Sequence, residues 1–205
     1  MLFKAISLLC RKSSFKEIKI AGMSDVKEWL DYFRFENAVF GDYFVGQLEF
    51  VHINRIYNVY SIFDEIKFIE GRSSSTKTKA AKPLRGQLKG FWHKHHFQAR
   101  FVYRNICNHW GLNQKGFTKF DALWQKHAKG AGPDAVMNRT VTDKLIYEFT
   151  YTGFTERMKE GKMTGEWIIF APYGGKNYYL TLAGHREKDA ELYKRLKDNW
   201  TLSSF

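Results

Sequence analysis

The chain has 205 residues, 44% hydrophobic and 17% aromatic, with 33 Lys and Arg against 21 Asp and Glu for a net charge of +12. That length fits one sizeable domain or a compact domain with a smaller attachment, and the apolar content excludes a disordered basic tail. The two cysteines, Cys10 and Cys107, match no disulfide framework and read as reduced thiols of a cytoplasmic protein, and no window approaches a membrane span.

The predicted elements begin with residues 1–22, which read as a loosely attached and possibly disordered leader. Their apolar start, Met1 to Cys10, is short, interrupted by Lys4, and followed by no small-residue cleavage site. Met23 offers an alternative start. Ser24 then caps a helix over about 25–34, with Val26, Trp29, Leu30 and Phe33 on one face. Residues 40–70 are rich in Phe, Tyr, Val and Ile, and the run from Arg55 to Phe63 reads as a strand. The polar, small stretch from Gly71 onward reads as a mobile linker over 71–82. It separates an N-terminal module, 23–70, from a basic domain, 83–205.

Within the basic domain a strand is expected over about 88–97 and a short helix over 101–110. Residues 111–132 read as largely irregular, followed by a helix over about 138–158. A hairpin follows, with strands over 164–171 and 178–183 around a turn at 172–177, and a last helix runs over 187–200.

Charge is laid unevenly along this order. Residues 1–70 hold 9 Lys and Arg against 10 Asp and Glu, whereas residues 71–205 hold 24 against 11. Between Gly71 and Phe120 there is no acidic residue, but there are 7 Lys and 4 Arg. Such a block is a directed field that points at polyanions, nucleic acid first, because cations that neutralise phosphates release counterions.

At its middle lies Phe91-Trp92-His93-Lys94-His95-His96. Strand alternation puts Phe91, His93, His95 and Phe97 on one face and Trp92, Lys94, His96 and Gln98 on the other. Two histidines on one face beside a cation suit acid–base chemistry near neutral pH. The same residues also suit a basic, aromatic surface that only touches phosphate. A His-x-His metal site is a third reading, disfavoured by the missing Cys pair and the fifty acid-free positions. Arg100 and Arg104, four apart on a helix, can clamp a phosphate or face a developing charge. On the second hairpin strand Leu180 and Leu182 are expected toward the core. Tyr179 and Thr181 are then left on an open face, with His185 and Arg186 at the strand end.

The hairpin Gly165-Glu166-Trp167-Ile168-Ile169-Phe170, with Tyr178 to Arg186 and then Glu191-Leu192-Tyr193, resembles the C-terminal half of RelE-like toxins. Leu88 to His95 is similar to the His-bearing strand of nucleases in the wider barnase–EndoU–colicin–RelE superfamily. The resemblance covers about residues 84–200. It implies an α+β fold with a small antiparallel sheet and helices packed on one face, to which residues 23–70 add an N-terminal α+β extension. It also implies a metal-independent endoribonuclease of toxin or phage-effector type, without cofactor, in which a base activates the ribose 2′-hydroxyl against the adjacent phosphate.

Carried to this chain, His93 or His95 would be base and acid, and Arg100 or Lys94 the charge stabiliser. Thr181 and Tyr179 would hold the phosphate. Lys89, Lys94, His96, Arg104, Tyr179, His185 and Arg186 would contact the nucleic acid. The expected partners are RNA and an acidic antitoxin or immunity protein, with no membrane. The alternative is a non-enzymatic nucleic-acid-binding regulator or inhibitor, since basic charge with interleaved aromatics serves stacking equally well.

Overall fold

A computed structural model describes residues 24–112, 116, 118–129 and 138–200. The leader over 1–22 lies outside them. Among the described residues no helix is long and apolar enough to cross a membrane.

The fold is α+β, built on a five-stranded sheet in the order β1-β5-β4-β3-β2. The strands are β1 (Ala38–Phe40), β2 (Lys82–Pro83), β3 (Trp92–His96), β4 (Glu166–Tyr173) and β5 (Lys176–Ala183). All neighbours are antiparallel except β1, which runs parallel to β5. The hairpin is longer than its sequence suggests, because the turn needs only Gly174 and Gly175. Both have positive φ, 57° and 77°, as a two-residue turn matched to strand twist requires.

Helices cover both faces of the sheet, not one. Against one face pack α1 (Ser24–Phe33), α2 (Asp42–Ile53) and α3 (Val59–Ile69). Leu30, Phe44, Leu48, Ile62, Phe63 and Ile66 there meet Ile168, Phe170, Tyr179 and Leu182. Against the other face α8 (Asp189–Trp200) sets Leu192 and Leu196 on Ile169, Leu180 and Ala183. The N-terminal residues are therefore half of the main core, and β1 is a strand of the sheet; the expected separate extension is absent because its apolar helix faces need this sheet to bury them.

The run 55–63, expected as a strand, is instead a turn entering α3. Asn58 ends it by accepting a hydrogen bond from the Tyr60 N–H, an N-cap, and Ile62, Phe63 and Ile66 then bury at helical spacing. Nor is 71–82 a loose linker. Thr76 and Thr78 turn inward, and both their hydroxyls accept from Lys94 Nζ, which also donates to the Lys79 carbonyl at 2.8 Å.

Lys94 itself is fully buried and ion-paired to Glu65 of α3 at 2.7 Å. It leaves β3 on the face away from His93 and His95 and ties the segment, the sheet and α3 together. Lys94→Met should cost about 3 kcal/mol in chemical denaturation, because it strands a buried carboxylate. The pair Lys94→Met with Glu65→Leu should recover most of that loss. A single variant as stable as the wild type would contradict this account.

A third cluster gathers α4 (Val102–Trp110), α5 (Thr118–Lys129), α6 (Arg139–Tyr147) and α7 (Gly153–Lys159) around Ile106, Trp110 and Leu123. Residues 118–129 are thus helical within the stretch expected to be irregular; Leu123 supplies their one buried contact. Between α6 and α7, Glu148–Thr152 form a π turn that frees the Phe149 carbonyl to accept from the Trp110 indole at 2.7 Å.

Candidate functional site

The site is set by where β3 sits. It is an interior strand, paired with β4 so that His93 opposes Ile169, His95 opposes Trp167 and His96 opposes Glu166. The alternation expected for this strand holds: His93 and His95 share the α8 face, while Trp92, Lys94 and His96 turn toward α1–α3. Cross-strand proximity then brings the Trp167 ring to 4.7 Å from His93 and 6.2 Å from His95, centroid to centroid, with the two imidazoles 5.5 Å apart.

The third imidazole arrives from the end of β5. Ala183 pairs with Trp167, so the turn that follows carries His185 over the indole at 5.1 Å and over His95 at 5.5 Å. Glu166 fixes that turn by accepting the His185 backbone N–H at 2.6 Å, and Arg195 braces Glu187 just beyond at 2.6 Å. Three histidines thus surround one tryptophan, whose indole N–H is buried without an acceptor. His185 is exposed, His93 half-buried and His95 only 7% exposed.

Electrostatics follow from burial. The His95 pKa is pushed down to about 4, first by desolvation and further by His93, His185 and Lys79; its bond to Gly165 opposes this. His93 is also held below the usual imidazole range, chiefly by burial. His95 Nδ1 lies 3.1 Å from the Gly165 carbonyl and 3.3 Å from the Gly165 N–H. Donation to the carbonyl puts the proton on Nδ1 and leaves Nε2 with its lone pair, the form of a base. Among the described residues no group of three or more His, Cys, Asp or Glu side chains is arranged to hold a metal ion.

Several expected site residues lie elsewhere. Arg100 is on the opposite side of the sheet, donating to Glu166 at 2.6 Å and to the Tyr57 hydroxyl at 2.7 Å. Glu166 is its only link to the histidines, through the His185 backbone. Arg100 and Tyr57 line a groove of about 810 Å³ with Asn58, Tyr60 and Gln98. His96 is fully buried against Tyr57 and Gln98, with its pKa driven down to about 3 by burial. Neither it nor Lys94 can meet a ligand.

Thr181 and Tyr179 are buried too, at 1% and 0% exposure, where an open face was expected. Thr181 donates to Gln47, and the Tyr179 hydroxyl donates to Glu70 at 2.6 Å. The cause is an irregular register between Ile169 and Phe170, which leaves Leu180 without a partner in β4. Tyr179 and Leu182 then face α1–α3 while Leu180 and Ala183 face α8, so the expected pairing of Leu180 with Leu182 is split. Lys89, Arg104 and Arg186 are exposed.

Trp167, Gly165 and Glu166 escaped the sequence reading as site residues. They stand in the hairpin motif, but only strand register sets them beside the histidines. Compared with known proteins, the chain matches no family model, no curated protein and no solved structure.

Proposed function

We propose that the chain is a metal-independent endoribonuclease of the toxin or phage-effector kind, acting in the cytoplasm, with its acid–base pair drawn from His93, His95 and His185. The observation that carries this reading is the ring contact of three imidazoles around Trp167, one locked to backbone and one open to solvent. The likeness of the hairpin and the His-bearing strand to the RelE-like and related nucleases supports it.

In this mechanism a neutral imidazole, His95 or His93, takes the 2′-hydroxyl proton as the 2′ oxygen bonds to phosphorus. The phosphorus–5′ oxygen bond breaks, and His185 in its protonated form delivers a proton to the departing oxygen. The products are a 2′,3′-cyclic phosphate and a 5′-hydroxyl, with one imidazole protonated and one deprotonated. Thr181, Tyr179 and Lys94 take no part, being buried in other contacts.

The test is incubation of the purified chain with RNA in excess chelator. Cleavage with cyclic-phosphate ends is expected. His185→Ala and His95→Ala should each lower the rate by about 100-fold or more, the usual worth of a general acid or base. Intact RNA, or variants that cut like the wild type, would end the proposal. The low exposure of His95 favours a second reading, a nucleic-acid-binding regulator without turnover. Binding with intact RNA in the same experiment is its signature. On either reading an acidic antitoxin-like or immunity-like partner would cover the basic face.

A further inference from the structure

The segment that reads as a linker forms one edge of the sheet. Thr78 bridges to Met163 on one side and donates its hydroxyl to the His95 carbonyl at 2.9 Å on the other. Four residues on, Lys82 pairs with His93. Because Thr76 and Thr78 point inward to Lys94, the alternate positions Lys77 and Lys79 point out, about 6.6 Å apart at strand rise. Lys82 is exposed as well. None of the salt bridges among the described residues involves these three lysines.

We propose that this edge, residues 77–83, is a track for the phosphodiester backbone of single-stranded nucleic acid, with Lys77, Lys79 and Lys82 as its phosphate contacts. It leads the strand past His95 and His93 and supplies the positive charge that Lys94 and Arg100 cannot. The proposal deepens the ribonuclease reading and rests on it for the identity of the strand as RNA.

Two further observations support the track. Cations crowd one another there: after burial, the charges that most depress the Lys79 ammonium are Arg157, Lys82 and Lys162. Arg157 is committed to Asn105 and Lys162 to Glu160, so the edge lysines hold the uncommitted charge. The segment also bears none of the large exposed hydrophobic residues found elsewhere among the described residues. A protein interface or a membrane surface wants apolar contact, whereas a phosphate backbone needs only charge.

The experiment measures binding of a 2′-O-methyl oligouridine, which cannot be cleaved by 2′-hydroxyl attack, over a range of salt. For a single strand each lost phosphate contact should reduce the slope of log K against log salt by about 0.7. Lys79→Ala and Lys82→Ala should each show that drop, and the triple variant with Lys77→Ala a drop of about 2. Lys27→Ala, on α1 across the sheet, should leave the slope unchanged, and replacing all three lysines by arginine should preserve it. A triple alanine variant with the wild-type slope overturns the track. So does polyglutamate competing as well as the oligonucleotide at equal charge, which would make the edge an acidic-protein contact. Cleavage of unmodified RNA is read separately. A reduced slope with no wild-type cleavage keeps the track and removes the ribonuclease, and cleavage with an unchanged slope does the reverse.

Discussion

Gly165→Ala should destabilise the chain by about 4 kcal/mol and abolish any activity that depends on His95. A Cβ at this position would lie 1.9 Å from the His96 carbonyl oxygen and 2.8 Å from its carbon, with Phe97 Cα at 3.2 Å. All three are backbone atoms, so no side chain can swing aside. β3 and β4 would have to part where His96 faces Glu166, and the same shift would pull the Gly165 peptide away from His95 Nδ1. For a chain of this size the melting midpoint should fall by roughly 10 °C. RNA cleavage assayed below that midpoint should fall as well, since the imidazole loses the carbonyl that orients it. A Gly165→Ala protein that melts and cuts like the wild type would refute the close approach of these strands.

Acid should unfold the protein through its buried histidines. In the unfolded chain His95 and His96 take up protons near 6.5, whereas in the fold they do so only near about 4 and about 3. Between these limits the unfolded state binds more protons, so stability is whole above about pH 6.5 and drains away as the pH falls toward 4. Both groups are depressed mainly by burial, and neighbouring cations act in the same sense: Arg100 on His96, and His93, His185 and Lys79 on His95. The expected loss is several kcal/mol, large against the stability of an ordinary domain. Denaturation series at pH 7, 5.5 and 4 should show it, and His95→Gln with His96→Gln should flatten the decline. A wild type no more acid-sensitive than this double variant would show that the two imidazoles are not kept neutral by the fold.

Local chemistry made parts of this architecture legible. Two glycines between runs of β-branched and aromatic residues define the terminal hairpin, and the alternation along β3 put His93 and His95 on one face. Helices at both ends of the chain announced themselves by a stripe of Val26 and Leu30, and of Leu192 and Leu196. The run 55–63 misled because aromatic and β-branched residues in a short window suit a strand or a buried helix equally. Its real cue was Asn58, a cap whose meaning depends on the helix that follows. Thr181 and Tyr179 misled for a different reason: one unpaired residue in β5 exchanges the faces of everything beyond it, and strand alternation cannot foresee that.

Sequence alone determined the basic, acid-free middle of the chain, the presence of a histidine-bearing strand, and the α+β mixture of elements. These depend on residue types and on periods of two and 3.6, which are local properties. Tertiary structure decided which charges are used and how. It buried Lys94 on Glu65, bound Arg100 to Glu166, and turned the supposed linker into a sheet edge with its lysines outward. It also carried His185 across more than eighty residues of sequence to lie over His95 and Trp167. Such pairings follow from strand register and from the need to neutralise or solvate every charge, and both are settled only when distant segments share one core.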